Sequence, residues 1–199
     1  MRIIGGKAAR QRLRVPKGYD VRPTPDLVKQ ALFNSLGARV LDAKVLELFA
    51  GSGALGFECL SRGAKHLVSV EKSTRIGNWI RGNLEAVKLD PHRFELRLQD
   101  AFAALRQLHT TDRKFDLILA DPPYGEKNVG RRSTSFAQRL LDNENLPHLV
   151  EPNGLFILGH ARRDTLEFPP FWEEMKMLRH GDTIMRFLRV ATSASRKDL

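Results

Sequence analysis

The sequence predicts an α/β fold with a doubly wound, mostly parallel seven-stranded sheet, a closing antiparallel hairpin and a small basic N-terminal β-arm. Strand-like and helix-like segments alternate from residue 44 to residue 120, which is typical of a parallel sheet covered by helices. A glycine-rich turn joins the first of these strands to a helix, and other ligand-binding candidates follow later strands. Ligands bind at the carboxyl ends of strands in such sheets, so this placement supports both the fold and a binding function.

The length of 199 residues fits one main domain with a sizeable core. We expect a basic β-hairpin arm at 1–20, a main domain at 21–190 and a frayed tail at 191–199. The first helix is expected to have Thr24 as its N-cap and Pro25 as its first residue, and to run to about Leu36.

The remaining elements are predicted from hydrophobic runs and the residues that interrupt them. Strands are expected at 45–49, 66–70, 94–98, 115–120 and 155–159, and helices at 54–62, 73–88, 101–109 and up to about residue 149. Gly63 is expected to cap the helix at 54–62, and Asp90-Pro91 to break the helix at 73–88. Residues 175–179 and 184–190, joined at Gly181-Asp182, are expected to form the closing hairpin.

The charge of the chain indicates a polyanionic partner. Net charge is +10 and the isoelectric point is about 10.2. Six basic residues precede the first acidic residue, Asp20, and the apolar residues between them predict a short hairpin around Gly5-Gly6 or further on. A basic arm of this kind would follow a phosphate backbone, whereas a disordered basic tail is the alternative.

Several classes of site are disfavoured. Cys59 is the only cysteine, so no disulfide can form within the chain, and the scattered histidines lack metal-ligand spacing. No residue set resembles a Ser-His-Asp system. We find no signal peptide and no apolar run long enough to span a membrane, and we expect a cytoplasmic protein.

A glycine-rich turn is the first candidate ligand site. Gly51, Gly53 and Gly56 have the spacing G-x-G-x-x-G between a predicted strand and a helix, which is the context that this motif requires. Glu71 ends the second strand twenty residues after Gly51, where a carboxylate can accept both hydroxyls of a ribose. The alternative is a strand-to-helix turn whose glycines serve geometry alone.

Glu47 favours S-adenosylmethionine over a dinucleotide. Its carboxylate precedes the turn by four residues, and an acid near a helix N-terminus suits a cation better than a pyrophosphate. S-adenosylmethionine carries an ammonium and a sulfonium besides its ribose and adenine. Asp100, after the strand at 94–98, can accept the adenine amino group or cap the next helix, and both roles can hold together.

A rigid corner, Asp121-Pro122-Pro123-Tyr124, follows the strand at 115–120. The prolines restrict the backbone, so the corner presents fixed carbonyl oxygens beside a carboxylate and an aromatic ring. Such a corner suits a planar amino group, because the oxygens accept its hydrogens and the ring stacks on its face. An ordinary Pro-Pro end to a strand is the alternative. The following polar residues, 126–135, are expected to form a mobile loop beside the corner or an exposed linker.

These motifs resemble those of class I S-adenosylmethionine-dependent methyltransferases, which have a Rossmann-like fold. The matching residues are Glu47-Leu48-Phe49-Ala50-Gly51-Ser52-Gly53, Glu71, Asp100-Ala101 and Asp121-Pro122-Pro123-Tyr124. The segments 1–7, 22–25 and 31–36 are similar to those of the bacterial small-subunit rRNA methyltransferases of the guanine(966)-N2 type, and this resemblance covers nearly the whole chain.

The resemblance implies transfer of a methyl group from S-adenosylmethionine to N2 of a guanine in 16S rRNA, with no metal. The partner is expected to be 16S rRNA in a small-subunit particle or assembly intermediate. We assign catalysis to Asp121, Pro122, Pro123 and Tyr124, and cofactor binding to Glu47, Phe49, Ala50, Gly51, Ser52, Gly53, Glu71, Lys72, Asp100, Ala101 and Asp121. RNA contacts are assigned to Arg2, Lys7, Arg10, Arg12, Arg14 and Arg22.

Three other functions fit parts of the sequence. An adenine-N6 DNA methyltransferase has nearly the same corner, although this chain has no room for a separate DNA-recognition domain. A nicotinamide-dependent oxidoreductase would share the glycine spacing and Glu71 but leave Glu47 and the corner unexplained. A noncatalytic RNA-binding protein would need neither set of residues.

Overall fold

The computed structural model describes residues 1–14, 24–125 and 131–191. The predicted RNA contact Arg22, residues 126–130 of the polar loop and residues 192–199 of the expected tail lie outside this part. The chain divides into two compact units, Met1–Ala104 and Leu105–Leu199.

The described residues form α-helices and strands in a largely alternating order. The helices are α1 (Asp26–Leu36), α2 (Ala54–Ser61), α3 (Thr74–Ala86), α4 (Ala101–Thr110) and α5 (Phe136–Leu141). The strands are β1 (Lys44–Leu48), β2 (His66–Glu71), β3 (Phe94–Leu98), β4 (Phe115–Ala120), β5 (Val150–Ala161), β6 (Trp172–His180) and β7 (Thr183–Val190). They make a mixed seven-stranded sheet in the order β3-β2-β1-β4-β5-β7-β6, which confirms the predicted fold class.

In the first unit, β1, β2 and β3 are parallel neighbours, and each is followed by a turn and a helix. The register pairs Leu48 with Val70 at the ends of β1 and β2, and Glu71 with Leu98 at the ends of β2 and β3. The turns after these strands therefore lie at one edge of this part of the sheet. This edge carries the glycine turn, Glu71 and Asp100.

In the second unit, β4 and β5 are parallel, and β7 pairs antiparallel with both β5 and β6. The predicted closing hairpin is therefore present, and Gly181 has a φ of 57° in its turn. The register pairs Ala120 with Leu158, so the end of β4 adjoins Gly159. Trp172 anchors the core of this unit, because its ring lies 5.2 Å from that of Phe156 and its Nε1–H donates to the Leu141 carbonyl at 3.1 Å.

Several predicted boundaries were wrong. Strand β5 begins at Val150 rather than at residue 155, and β6 begins at Trp172 rather than at residue 175. Helix α1 begins at Asp26, with Pro25 rather than Thr24 in the N-cap position and no side-chain cap. Helix α3 ends at Ala86, and Lys88 adopts a left-handed φ of 51° before Asp90-Pro91 is reached.

The helix expected up to about residue 149 ends at Leu141. The side chain of Asn143 accepts hydrogen bonds from the backbone N–H groups of Asn145 and Leu146, both at 3.1 Å, which favours a turn over a helix. Pro147 then begins a short 3₁₀ helix that leads into β5.

None of the helices in the three described ranges combines the length and the hydropathy needed to cross a lipid bilayer.

Candidate active site

The glycine turn has an unusual backbone. Phe49, Gly51 and Gly53 have positive φ angles of 56°, 55° and 76°. Such a φ is strained for phenylalanine and ordinary for glycine, and strained residues are concentrated at binding sites. Gly53 stands at the N-cap of α2, and a Cβ at this position would lie 2.8 Å from the ring of Phe57. The turn is therefore fixed in a conformation that few other sequences allow.

The carboxylate of Glu71 joins the end of β2 to this turn. Its Oε2 accepts a hydrogen bond from the Gly51 N–H at 3.0 Å, and its Oε1 accepts from the Ser73 N–H at 2.8 Å. The side chain is 9 % exposed. A carboxylate oxygen has more than one acceptor site, so these bonds orient the group without excluding a ribose hydroxyl.

The carboxylate of Glu47 lies beneath the turn and is 3 % exposed. Its Oε1 accepts from the Gly56 N–H at 2.9 Å and its Oε2 accepts from the Ser69 hydroxyl at 2.7 Å. Burial raises the pKa of Glu47 to about 7. Both oxygens therefore serve internal contacts, and the group supports the backbone of the turn from below.

Asp100 caps α4, because its Oδ1 accepts from the N–H groups of Phe102 and Ala103 at 2.9 and 3.2 Å. The ring of Phe102 packs edge-on against that of Phe49, with centroids 6.3 Å apart. Asp100 thus lies beside an aromatic pair at the edge that carries the turn. Of the other predicted cofactor residues, Ala50, Ser52 and Ala101 are buried and Lys72 is exposed.

These groups fit S-adenosylmethionine. Glu71 could accept hydrogen bonds from a ribose diol, and Asp100 could accept one from an amino group. Phe49 and Phe102 could provide an apolar surface for a purine ring. The glycines of the turn allow a ligand to approach the backbone closely.

The Asp121 corner is held against β5. A Cβ on Gly159 would lie 2.5 Å from Asp121 Oδ1 and 3.0 Å from its Cγ, so the carboxylate occupies the space that a larger residue would fill. Pro122 is buried and Pro123 exposed, while Asp121 and Tyr124 are part-buried. Gly159 is not part of the predicted corner, and no local pattern in the sequence indicates its contact with Asp121.

Tyr124 is fixed by a second long-range contact. Its hydroxyl lies 2.8 Å from the hydroxyl of Thr183, the first residue of β7. Thr183 is 5 % exposed, and its backbone pairs with Ala161 in the sheet. The hydrogen bond fixes the hydroxyl end of Tyr124, and any stacking contact would be made by the faces of its ring.

His160, next to Gly159, is a buried neutral imidazole. Its Nε2 accepts a hydrogen bond from Arg186 Nε at 2.9 Å, so the proton is on Nδ1, which lies 3.0 Å from the Ala161 carbonyl oxygen and donates to it. Burial, and then the positive charge of Arg186, lower the pKa of His160 to about 4. Arg186 also pairs with Glu174. This network strengthens the strands behind the corner.

A cavity of about 420 Å³ adjoins the corner within the second unit. Its lining includes Pro123, Tyr124, Arg131, Arg132, Ser135 and Arg139. Arg132 forms ion pairs with Asp142 at 2.7 Å and with Glu167 at 3.1 Å. Arg132 is therefore balanced by two acidic partners, and Arg131 and Arg139 are the other basic residues of the lining.

The described part of the basic arm, residues 1–14, is packed on the first unit. Ile3, Ala8 and Leu13 are buried. The Ser61 hydroxyl donates to the Gly5 carbonyl at 2.6 Å and accepts from the Ala8 N–H at 2.9 Å. The arm forms a short antiparallel hairpin, with one bridge between Arg2 and Arg12. The Ile3 N–H donates to the Gln11 carbonyl at 2.9 Å, and the Ile3 carbonyl accepts from the Arg10 N–H at 2.9 Å.

Gly5 and Gly6 lie in the connection between the two paired segments, and they also allow a close approach to α2. A Cβ on Gly6 would overlap the Ser61 carbonyl, and Gly6 has a φ of 74°. A Cβ on Gly5 would overlap the Arg62 guanidinium. The two glycines therefore let the arm lie directly on the C-terminal end of α2.

The basic side chains of the arm point to solvent. Arg2, Lys7, Arg10, Arg12 and Arg14 are all exposed. Arg2 pairs with Asp26 at 2.9 Å, and within residues 1–14, 24–125 and 131–191 the other four form no ion pair. The arm therefore presents exposed cations on a backbone that is packed against α2.

Asn83 of α3 is a further residue that the sequence did not single out. It is fully buried and bonds to both the arm and the glycine turn. No pattern in the sequence marks Asn83, because its hydrogen-bond partners are far away in the chain and α3 contains both polar and apolar residues.

In the described ranges, no three His, Cys, Asp or Glu side chains come together in a way that could hold a metal ion.

The chain is similar to several known proteins. A family model described as Conserved hypothetical protein 95 matches residues 1–189. The Bacillus subtilis protein YlbH is 32 % identical over 179 residues, covering 90 % of this chain and 91 % of that protein. The Haemophilus influenzae protein named ribosomal RNA small subunit methyltransferase D is 32 % identical over 176 residues, covering 88 % of this chain and 86 % of that protein.

A solved structure of a hypothetical protein from Thermus thermophilus has a TM-score of 0.77 and 27 % identity, covering 96 % of this chain and 99 % of that one. The match to the family model extends over most of both units and includes the basic arm. The chain therefore belongs to the Conserved hypothetical protein 95 family, and its predicted kinship with the small-subunit rRNA methyltransferases is confirmed.

Proposed function

We propose that this protein transfers a methyl group from S-adenosylmethionine to the exocyclic N2 of a guanine in 16S rRNA. The observation that carries the proposal is the Asp121 corner, which is fixed by Gly159 on one side and by Thr183 through Tyr124 on the other. A methyltransferase of this family needs a rigid acceptor for an amino group, and the corner supplies one.

The first unit would hold the cofactor. Glu71 would accept the ribose hydroxyls, the glycine turn would receive the amino acid portion, and Asp100 would accept the adenine amino group beside Phe49 and Phe102. The sulfonium of the bound cofactor would supply the methyl group and leave as the thioether of S-adenosylhomocysteine, and the methylated nitrogen would lose one proton to water. Glu47 would act indirectly by holding the turn through the Gly56 N–H.

The second unit would hold the acceptor base. A base amino group is a poor nucleophile, because its lone pair is delocalised into the ring. Asp121 and the Pro122 carbonyl would accept its hydrogens, and they would bind the transition state more tightly as positive charge grows on the nitrogen. Tyr124 would stack on the base and fix its angle of approach.

The basic arm would bind the RNA backbone. Its five described cations are all exposed, so they are accessible to phosphate groups. The target guanine must leave its stack to reach the corner, which favours an accessible or looped strand. The cavity lined by Arg131 and Arg139 would bind phosphates close to the target base.

Charge reversal tests the role of the arm. Arg10→Glu, Arg12→Glu and Arg14→Glu together should weaken RNA binding and lower the slope of log affinity against log salt by roughly 3, since each phosphate contact contributes about one unit or slightly less. Filter binding across a salt series measures both quantities. An unchanged slope would remove these residues from the interface.

The decisive experiment is methyl transfer from labelled S-adenosylmethionine to small-subunit particles, purified rRNA and duplex DNA from a strain that lacks this gene. N2-methylguanosine in rRNA is the expected product. Transfer only to particles would identify an assembled subunit or an assembly intermediate as the partner, and a cytoplasmic site of action follows from either rRNA substrate. N6-methyladenine in DNA would instead support the alternative, an adenine-N6 DNA methyltransferase, which the same corner favours.

A further inference from the structure

The buried side chain of Asn83 joins the basic arm to the glycine turn. Its Oδ1 accepts from the Arg14 N–H at 2.8 Å, and its Nδ2 donates to the Arg14 carbonyl at 2.9 Å and to the Ser52 carbonyl at 3.1 Å. Asn83 is 0 % exposed. Because an amide removed from water is stabilised only when it is hydrogen-bonded, these three contacts favour one geometry of the arm and the turn together.

Other contacts bind the arm to the same region. Met1 Sδ lies 3.5 Å from Ser52 Oγ, so a second arm residue touches the turn. The Ile4 N–H donates to Glu58 Oε2 at 2.8 Å, and Ser61 bonds to Gly5 and Ala8. Glu58 and Ser61 belong to α2, the helix that begins at the turn. A movement of the arm would therefore be transmitted to the turn through both α2 and Asn83.

The cations of the arm and the contacts with Asn83 involve different atoms. Asn83 bonds to the backbone of Arg14, while the Arg14 side chain is exposed. A polyanion can therefore bind the side chains of the arm without breaking its bonds to Asn83. Such binding would stabilise the docked arm, and with it the position of the Ser52 carbonyl.

We propose that Asn83 is a positioning residue that couples RNA binding at the arm to cofactor binding at the glycine turn. Each ligand then raises the affinity of the protein for the other, because both favour the same arrangement of the arm, Asn83 and Ser52. The inference rests on the proposed function, which assigns RNA to the arm and S-adenosylmethionine to the turn.

The test is a thermodynamic cycle with the full chain. Calorimetry gives the dissociation constant of S-adenosylhomocysteine, with and without saturating 16S rRNA transcribed in vitro. In the wild type, RNA should tighten this binding by at least about fivefold, the lower end of usual coupling. In Asn83→Ala the factor should fall to about half of its wild-type value or less, because only the contacts through α2 and Met1 then remain, while the RNA still binds through the unchanged cations.

Asn78→Ala is the matched control. Asn78 lies on the same helix, is exposed, and accepts a hydrogen bond from Arg81, one turn further along that helix. It should keep the wild-type coupling factor. The same factor in Asn83→Ala as in the wild type would overturn the inference, even if both variants lose some affinity for S-adenosylhomocysteine.

The wild type alone gives a second test, should Asn83→Ala fail to fold. Coupling is reciprocal, so S-adenosylhomocysteine must tighten RNA binding by the factor found for the reverse effect. Binding of both ligands without mutual effect would overturn the coupling and leave the proposed function standing. A wild type that does not bind S-adenosylhomocysteine at all would instead overturn the proposed function, and the inference with it.

Discussion

Each unit places a carboxylate against a glycine, yet the two carboxylates are held differently. A Cβ on Gly56 would lie 2.5 Å from Glu47 Oε2, and a Cβ on Gly159 would lie 2.5 Å from Asp121 Oδ1. Glu47 is buried, and both its oxygens accept bonds from the protein. Asp121 is part-buried at the start of a rigid corner.

This difference agrees with the proposed division between support and reaction. In the first unit the buried acid holds the backbone of a turn. In the second unit the acid lies against Gly159 and precedes two prolines, while Thr183 holds Tyr124 at the far end of the corner. Under the proposed function, the same pairing of glycine and carboxylate would maintain shape in one place and take part in the chemistry in the other.

Replacing Asp121 should give the largest effect on activity. Asp121→Ala should lower kcat about a hundredfold to a thousandfold, the usual loss when one group that stabilises the transition state is removed. The affinity for S-adenosylmethionine should stay close to that of the wild type. Single-turnover methyl transfer and calorimetry measure the two quantities.

Asp121→Asn is the matched control for this change. It retains a carbonyl oxygen that can accept one hydrogen from the substrate, so its kcat should lie between those of the wild type and Asp121→Ala. Near-normal turnover by Asp121→Ala would remove the carboxylate from the reaction.

The two buried titratable groups should give opposite pH dependences of stability. The pKa of Glu47 is raised to about 7 from 4.5, so the native state binds more protons between these values and the free energy of unfolding falls as pH rises through this window. The pKa of His160 is lowered to about 4 from 6.5, so the free energy of unfolding falls as pH decreases from 6.5 towards 4. Each effect is of the order of 3 kcal/mol.

Urea unfolding of Glu47→Gln and His160→Gln from pH 4 to pH 8 isolates these contributions. Relative to the wild type, Glu47→Gln should gain stability as pH rises, and His160→Gln should gain it as pH falls. The Asp164 carboxylate near His160 acts against the lowering of the His160 pKa and remains present in both proteins. If the free energy of unfolding of a variant and of the wild type varied with pH in the same way, the replaced group would have an ordinary pKa in the folded protein.

A pair of glycine substitutions compares the two acids directly. Overpacking by one methyl group costs about 1–3 kcal/mol where neighbours cannot move. Gly56→Ala should therefore weaken cofactor binding by about tenfold, and Gly159→Ala should lower kcat by about as much while keeping cofactor affinity. Steady-state kinetics with calorimetry separates these outcomes.

Gly82→Ala is the control for both, because a Cβ at Gly82 meets nothing within 4 Å. It lies in α3 and should leave both constants unchanged while stabilising the helix slightly. If Gly159→Ala weakened cofactor binding and left kcat intact, the assignment of the second unit to the acceptor base would be wrong.

Local patterns in the sequence predicted the elements and the acidic residues at the strand ends, because both depend on short-range periodicity and chain order. The contacts that fix these residues are long-range. Asn83 and Arg14 are 69 residues apart, and Tyr124 and Thr183 are 59 apart. Gly5 and Gly6 indicated a turn, and only the packed structure reveals their approach to Ser61. A single sequence carries little information about such contacts.

The smallest effect is expected from the hydrogen bond between Tyr124 and Thr183. Thr183→Val keeps the shape of the side chain and removes the hydroxyl, and Tyr124→Phe removes the same bond from the other side. Each should lower kcat/KM by about fivefold, corresponding to roughly 1 kcal/mol for one hydrogen bond. If the bond acts by orienting the ring, the double variant should be hardly worse than either single variant. Fully additive losses would mean that the two hydroxyls act separately, and Tyr124 would then need another source of orientation.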